Sequence, residues 1–269
     1  MNKLQLQGKW VLVTGASSGL GHEMAHQLAY QHKANLIITA RRADKLEQLK
    51  AELEKDAGVQ VKVITADLSI KEDADRLIAE SIAGGNLYAA ILNAGITYFG
   101  RNTELPWAAF ESLLQTNVTG VVRMTNALVK YFEQPGTEGG LMLVSSMAGF
   151  FPVPYQAAYS ATKAFITAYG SALHYELTNP KFSITVYVPG GIATEMTDNT
   201  KFNALKGWLM PVKQAAKEGL HALISRKYNY VPGAMNRLGN VFMNFLPKSF
   251  IAGKMSKIYL NSLLRSEKS

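Results

Sequence analysis

Tyr159 and Lys163 stand four residues apart in Tyr159-Ser160-Ala161-Thr162-Lys163, with Ser145 and Ser146 a short loop upstream. On a helix, positions i and i+4 share one face about a turn apart, so a phenol and an ammonium would point into the same space. A fixed positive charge favours phenolate and moves the phenol from its ordinary pKa near ~10 toward values useful for acid/base work. The set suits giving and taking a proton at an oxygen. Such a pair also arises by chance on solvated helices, so the rest of the chain must supply what this chemistry needs.

The chain begins with that supply. Lys9-Trp10-Val11-Leu12-Val13 reads as a buried strand running into Thr14-Gly15-Ala16-Ser17-Ser18-Gly19-Leu20-Gly21 and then a helical pattern. Glycines are needed where the backbone turns tightly or approaches a phosphate. A helix N-terminus offers free N–H groups and a positive dipole end to a diphosphate. The Gly-x3-Gly-x-Gly spacing differs from the commoner Gly-x-Gly-x-x-Gly fingerprint, but its glycines can do the same work.

Taken with Asn93-Ala94-Gly95, Asn117, Ser146, the Tyr159/Lys163 pair and Pro189-Gly190 through Thr194, this loop resembles the short-chain dehydrogenase/reductase family in order and spacing, over roughly residues 8 to 232. The resemblance implies a nicotinamide dinucleotide held by Gly15, Ser17, Ser18, Gly19, Leu20 and Gly21, by Asp67 and Leu68 near the adenine, by Asn93, Ala94 and Gly95, by Tyr159 and Lys163, and by Pro189, Gly190, Ile192 and Thr194. Leu92 stands where family members often carry a further Asn. The resemblance also implies four catalytic residues. Tyr159 would hand its proton to a carbonyl oxygen, Ser146 would hold that oxygen, Lys163 would lower the phenol's pKa and hold the nicotinamide ribose, and Asn117 would anchor a water that returns protons to the lysine. Ser146 fits the family spacing better than Ser145, which ends the strand. Tyr155 is a decoy, followed four residues later by another tyrosine and not by a lysine.

The second strand ends in Thr39-Ala40-Arg41-Arg42, where NAD binders usually place an acidic residue for the ribose 2′-hydroxyl. Two guanidiniums there suit a 2′-phosphate, so the expected cofactor is NADP(H), with Arg41 ahead of Arg42 as its partner. A rival motif, His22-Glu23-Met24-Ala25-His26, fits the His-Glu-x-x-His zinc protease signature. Its helix starts directly after the glycine turn and must pack one face on a sheet. No clear third ligand follows, so a solvated helix face is the better reading and no metal is expected.

The elements that must position these residues show in the pattern. Apolar runs at Trp10–Val13, Asn35–Ala40, Gln60–Thr65, Tyr88–Leu92, Leu141–Val144, Ser183–Val188 and Asn229–Val231 alternate with amphipathic stretches. This is the signature of an α/β, doubly wound (Rossmann-like) seven-stranded parallel sheet with helices on both faces. Gly84-Gly85 and Pro135 to Gly140 read as turns before strands, and Gly191 to Trp208 as an irregular substrate lid. At 269 residues and 48% hydrophobic, the chain supports one large core, taken as a catalytic domain over 1–232 with a C-terminal extension over 233–269. The polar start lacks the apolar core of a secretory signal, no run is apolar enough to span a bilayer, and there is no cysteine, all of which point to the reducing cytoplasm.

The formal net charge of +8 favours anionic partners, but the basic residues form no dense tract with interleaved aromatics, so nucleic acid is not expected. In the tail, Phe242, Phe245, Leu246, Phe250, Ile251, Met255, Ile258 and Tyr259 alternate with Lys248, Lys254, Lys257 and Arg265. Such a basic amphipathic segment suits peripheral membrane contact or a cover for a lipid-like substrate. Packing against the body or a second subunit is favoured over either. Phe150 to Tyr155 suggest an apolar pocket wall. The expected function is NADP(H)-dependent oxidoreduction of a small hydrophobic carbonyl or secondary alcohol (ketone, acyl or sterol-like), by analogy in a homodimer or homotetramer. The alternative is an NADP(H)-binding sensor or scaffold without turnover.

Overall fold

A computed structural model describes residues 2–198, 207 and 209–266. Strands and helices alternate in the order β1 (Trp10–Thr14), α1 (Gly19–His32), β2 (Asn35–Ala40), α2 (Ala43–Glu52), β3 (Val61–Thr65), α3 (Lys71–Ile82) and β4 (Leu87–Leu92). There follow α4 (Trp107–Leu114), α5 (Gly120–Phe132), β5 (Gly139–Val144), α6 (Ala157–His174) and β6 (Phe182–Tyr187). The chain then runs through the short β7 (Ile192–Ala193) and β8 (Met210–Pro211), α7 (Val212–Ile224), β9 (Asn229–Tyr230), α8 (Ala234–Asn244) and α9 (Lys248–Ser266).

The main sheet has seven strands in the order β3-β2-β1-β4-β5-β6-β9, each parallel to its neighbour. The order reverses direction between β1 and β4, and ligands of open α/β sheets sit in the crevice at such a point, outside the carboxyl ends of the strands. Alternation along each strand sends successive side chains to opposite faces. Val11 and Val13 of β1 enter one core with Met24 and Leu28 of α1, Leu46 of α2 and Leu220 of α7. Leu12, between them, enters the other core with Leu77 of α3, Leu128 of α5 and Ile166 of α6. Both faces of the inner strands are therefore dry, which is why these read as nearly unbroken apolar runs, while Lys62 and Thr65 of the edge strand β3 are exposed.

Two sequence expectations need adjustment. Gly139 and Gly140 belong to β5 and not to the turn before it. A β-carbon on Gly139 would run into Phe132 and the Tyr88 carbonyl, and one on Gly140 would lie 2.7 Å from Leu4 Cδ1. Glycine is there for close packing inside a strand. Second, the irregular stretch from Gly191 contains β7, paired with β8 in a separate two-stranded ribbon. Residues 199–206 and 208 of the expected lid lie outside the described residues. Helix α4 continues into α5 through a π turn at Gln115–Thr119.

The Glu23 carboxylate of the His-Glu-x-x-His stretch accepts a hydrogen bond from Gln27 Nε2 at 2.7 Å, and His26 lies 3.4 Å from Glu52 and stacks on Tyr30. Met24, at its centre, is fully buried. Among the described residues no helix is long and apolar enough to cross a membrane.

Candidate active site

The loops expected to carry the site emerge at the carboxyl ends of the strands. Gly15 follows β1, Arg41 and Arg42 follow β2, Asp67 follows β3, Asn93 follows β4, Ser145 and Ser146 follow β5, and Pro189 follows β6. The loops after β1 and β4 are joined by Thr14. Its Oγ1 accepts from Asn93 N at 2.9 Å and Ala94 N at 3.0 Å, while Asn93 Nδ2 donates to Thr14 O at 3.0 Å.

The glycine turn packs tightly against the loop after β4 and against itself. Gly15 and Gly19 take positive φ values of 70° and 57°, a region that disfavours other residues. A β-carbon on Gly15 would stand 3.0 Å from Ala94 Cα and Asn93 Nδ2, and one on Gly21 would run into Gly15 O. Helix α1 starts at Gly19 with Ser18 extended, no side-chain cap and no acidic residue in its first turn. Its first N–H groups are thus left for an anion, and the dipole adds attraction. This donor set fits the diphosphate of a dinucleotide.

Around it stand the charged groups of the neighbouring loops. Arg42 donates to Ser17 Oγ at 3.1 and 3.2 Å and pairs with Glu195 at 3.2 Å. Glu195 also meets Ser18, and these partners hold its carboxyl below the usual range. Arg41 is the more exposed and lies 3.9 Å from Asp67 Oδ2. The other Asp67 oxygen accepts from Ser69 N and Oγ at 2.9 and 2.7 Å. Of the two arginines, Arg42 is thus the one drawn onto the glycine loop. Leu68 is buried, Ile192 sits in β7, and Thr194 packs over Gly19. Gly190 lies against Asn236 of α8.

The proton-handling residues sit where α6 crosses the end of β5. Lys163 is buried and donates from Nζ to Val144 O at 3.0 Å. Burial lowers its pKa to about 8. Ser145 Oγ donates to Lys163 O at 2.8 Å and lies 2.7 Å from Thr167 Oγ1, which fastens this helix turn to the strand end. Ser146 accepts from Ala148 N at 3.2 Å and hydrogen-bonds the Tyr159 phenol. Burial raises the Tyr159 pKa, and the Ser146 bond draws it back in part. The net direction is opposite to the lowering expected from Lys163, because the ammonium sits 5.8 Å from the ring centroid while desolvation acts on the whole phenol.

Asn117 lies in the π turn, buried, with Nδ2 donating to Ile96 O at 2.8 Å and Thr162 Oγ1 at 3.2 Å. Its Oδ1 accepts from Ile96 N at 2.9 Å. A β-carbon on Gly95 would sit 3.2 Å from Asn117 Oδ1 and 3.5 Å from Lys163 Nζ, so the loop after β4 passes directly over both side chains. The Asn117 amide is committed to that loop and not turned toward open space.

Glu195 is not singled out in the sequence, and the contacts of Thr14, the first residue of the glycine loop, and of Tyr259, one of the tail's apolar residues, could not be read there. Thr14 and Glu195 act through partners distant in the chain, and no spacing could reveal them. Tyr259 comes from α9, where it joins Phe99, Tyr155 and Leu263 in a small aromatic cluster, its ring 5.1 Å from that of Phe99. Tyr159 is near enough to raise the pKa of the Tyr259 phenol further, to about 12, although burial is the larger cause. The decoy Tyr155 has a positive φ of 65° and accepts from Gly100 N at 2.9 Å, which shapes the loop entering α6.

A phosphate cradle at the switch point, with the half-buried Ser146 and Tyr159 and the buried Lys163 beside it, is the arrangement of an α/β protein built to hold a dinucleotide. The chain belongs to the short-chain dehydrogenase/reductase family: the family described as short chain dehydrogenase matches residues 9–204. Human 17-beta-hydroxysteroid dehydrogenase type 3 is 32% identical over 210 residues, covering 75% of this chain and 65% of that protein, so this chain spans just under two thirds of that relative's length. A short-chain dehydrogenase from Sphingobium yanoikuyae, solved in complex with NADPH, superposes with a TM-score of 0.78 at 26% identity, over 89% of this chain and 96% of its own. A family member from Burkholderia phymatum, solved with NAD, has the same fold at a TM-score of 0.78 and 18% identity, over 91% and 98% of the two chains.

Proposed function

We propose that the protein transfers a hydride between NADP(H) and an apolar ketone or secondary alcohol. The observation that carries this is the convergence of Ser146, Tyr159 and Lys163 at the end of β5, beside the glycine cradle. When bound, the nicotinamide supplies or takes up the hydride. Gly15, Ser17, Ser18, Gly19, Leu20 and Gly21 hold the diphosphate, and Asp67, Leu68, Asn93, Ala94 and Gly95 line the path toward the sheet. Pro189, Gly190, Ile192 and Thr194 close the far side.

In reduction Tyr159 gives its proton to the substrate oxygen while Ser146 steadies that oxygen by a hydrogen bond. A raised phenol pKa keeps this proton in place at neutral pH. Lys163, with its pKa near 8, stays mainly charged at pH 7 and stabilises the phenolate that remains. Asn117 holds the Ile96 loop over the lysine, its side-chain amide taken up by Ile96 and Thr162.

Arg41 and Arg42 support NADP(H), since they offer two guanidiniums where a 2′-phosphate would lie, and Arg42 already reaches Ser17. An apolar substrate is supported by the Phe99, Tyr155 and Tyr259 cluster and by the hydroxysteroid named for the human relative. We take residues 1–232 as the catalytic unit and 233–269 as its extension. Pairing through α4 and α6 into a homodimer or homotetramer is supported by Trp107 and Phe165, which are exposed on those helices.

The test follows NADPH and NADH oxidation against hydrophobic ketones, steroids with ring ketones and 3-oxoacyl esters. Turnover with NADPH, lost by at least about a thousandfold in Tyr159→Phe, is the expected result. Binding of NADPH without turnover of any compound would instead indicate a sensor. Replacing both Arg41 and Arg42 with Ala should raise KM for NADPH about tenfold or more and leave that for NADH nearly unchanged. An equal effect on the two cofactors would remove the 2′-phosphate role.

A further inference from the structure

Helix α8 lies at the end of the molecule that carries the site, its Asn236 packed against Gly190. Met235, Leu238, Phe242 and Phe245 recur on it at i, i+3, i+7 and i+10, which places them on one stripe of the helix. That stripe does not face the protein: Met235 is 80% exposed, Phe242 63% and Phe245 83%. Leu246 and Phe250 continue the exposed apolar surface across the corner into α9. Isolated exposed apolar side chains are ordinary, but a contiguous patch of large ones marks a surface that is covered in use.

The charge beside the patch narrows what covers it. From residue 219 to residue 266 the chain has no Asp or Glu, and Lys248, Lys254 and Lys257 follow the apolar stripe on α9. All three are exposed, and among the described residues none of them forms an ion pair. Phe250, Lys254 and Lys257 share one face of α9, with Lys254 Nζ 5.7 Å from the Phe250 ring centroid. The opposite face, with Ile251, Ser262 and Leu263, is buried against the body near Tyr155 and Phe99. A second copy of the chain would bring the same lysines against these, at a repulsive cost. An anionic lipid surface satisfies both the stripe and its rim, because acyl chains receive the rings and head groups receive the ammonium groups.

We propose that the α8–α9 corner is a membrane-docking surface for an anionic phospholipid bilayer, inserting Phe242, Phe245 and Phe250 at the interface with Lys248, Lys254 and Lys257 at the head groups. Docking there sets the inner face of α9, with Tyr259, between lipid and the catalytic tyrosine. The proposal stands apart from the reaction proposed above, since it rests on surface shape and charge alone.

The test is flotation of the full chain with vesicles of phosphatidylcholine mixed with phosphatidylglycerol, and with vesicles of phosphatidylcholine alone. About tenfold or greater preference for the anionic vesicles is expected, falling as salt is raised on the unmodified protein. Phe242→Ser with Phe245→Ser should abolish binding, and Lys254→Glu with Lys257→Glu should weaken it about tenfold or more, with thermal melting and NADPH binding in solution unchanged. Failure to float with anionic vesicles, or equal binding to both compositions, overturns the proposal. So would a sedimenting dimer that the phenylalanine variant splits in the absence of lipid-dependent binding, because the occupant would then be a second copy.

Discussion

At the scale of single residues, Lys163 shows what the site costs the fold. Its ammonium is buried with the Val144 carbonyl as its hydrogen-bond acceptor, and desolvation brings its pKa from 10.5 to about 8. A depressed lysine pKa means the folded protein loses this proton before the unfolded chain does. Below about pH 8 the burial penalty is present in full, and between about 8 and 10.5 stability from this group rises with pH. Lys163→Met is therefore expected to be inactive yet more stable at pH 7, by up to about 3 kcal/mol. Its advantage should shrink as pH is raised through that window. Urea unfolding of both proteins at neutral and alkaline pH measures this, and a less stable variant at pH 7 would contradict it. The residue types and spacing of the site were readable because the chemistry demands them. The direction of the Tyr159 shift was not, since burial is a property of everything packed around the phenol.

At the scale of elements, the π turn between α4 and α5 decides where Asn117 points. A helix with one extra residue in a turn re-aims a side chain without ending the helix. Nothing in Gln115-Thr116-Asn117-Val118-Thr119 announces it, because the reason lies across the fold. Asn117 must pair with both backbone groups of Ile96. Asn117→Ala would leave the Ile96 N–H and C=O without these partners, with an expected loss of about 2–4 kcal/mol. Asn117→Asp keeps an acceptor for Ile96 N but loses the donor to Ile96 O, so it should lie between the two in thermal melting and in kcat. Identical melting of Asn117→Ala and the parent protein would show that water replaces the amide freely. Strand β5 teaches a similar lesson, for Gly139-Gly140 looks like a turn until Phe132 and Leu4 are seen against it.

At the scale of the molecule, Arg226 ties parts of the chain that are far apart in sequence. Its buried guanidinium donates to Asn2 O at 2.9 Å, Gly139 O at 2.8 Å and Ser183 Oγ at 3.1 Å, and pairs with Glu138 at 3.1 Å. Arg226→Ala removes all four at once, with an expected cost of about 3 kcal/mol, read by urea unfolding, while kcat changes little because the cluster sits at the end of the sheet away from the site. Sequence alone determined the parallel sheet, the glycine turn, the loops that gather at the strand ends and the family, because each depends on local geometry or on the period of burial along a strand. The tertiary structure decided which arginine reaches Ser17, how Thr14 joins two loops, and that α9 brings Tyr259 near Tyr159 while α8 turns its apolar stripe outward. Those outcomes depend on contacts between segments far apart in the chain, and such contacts leave no period or spacing for a sequence to show.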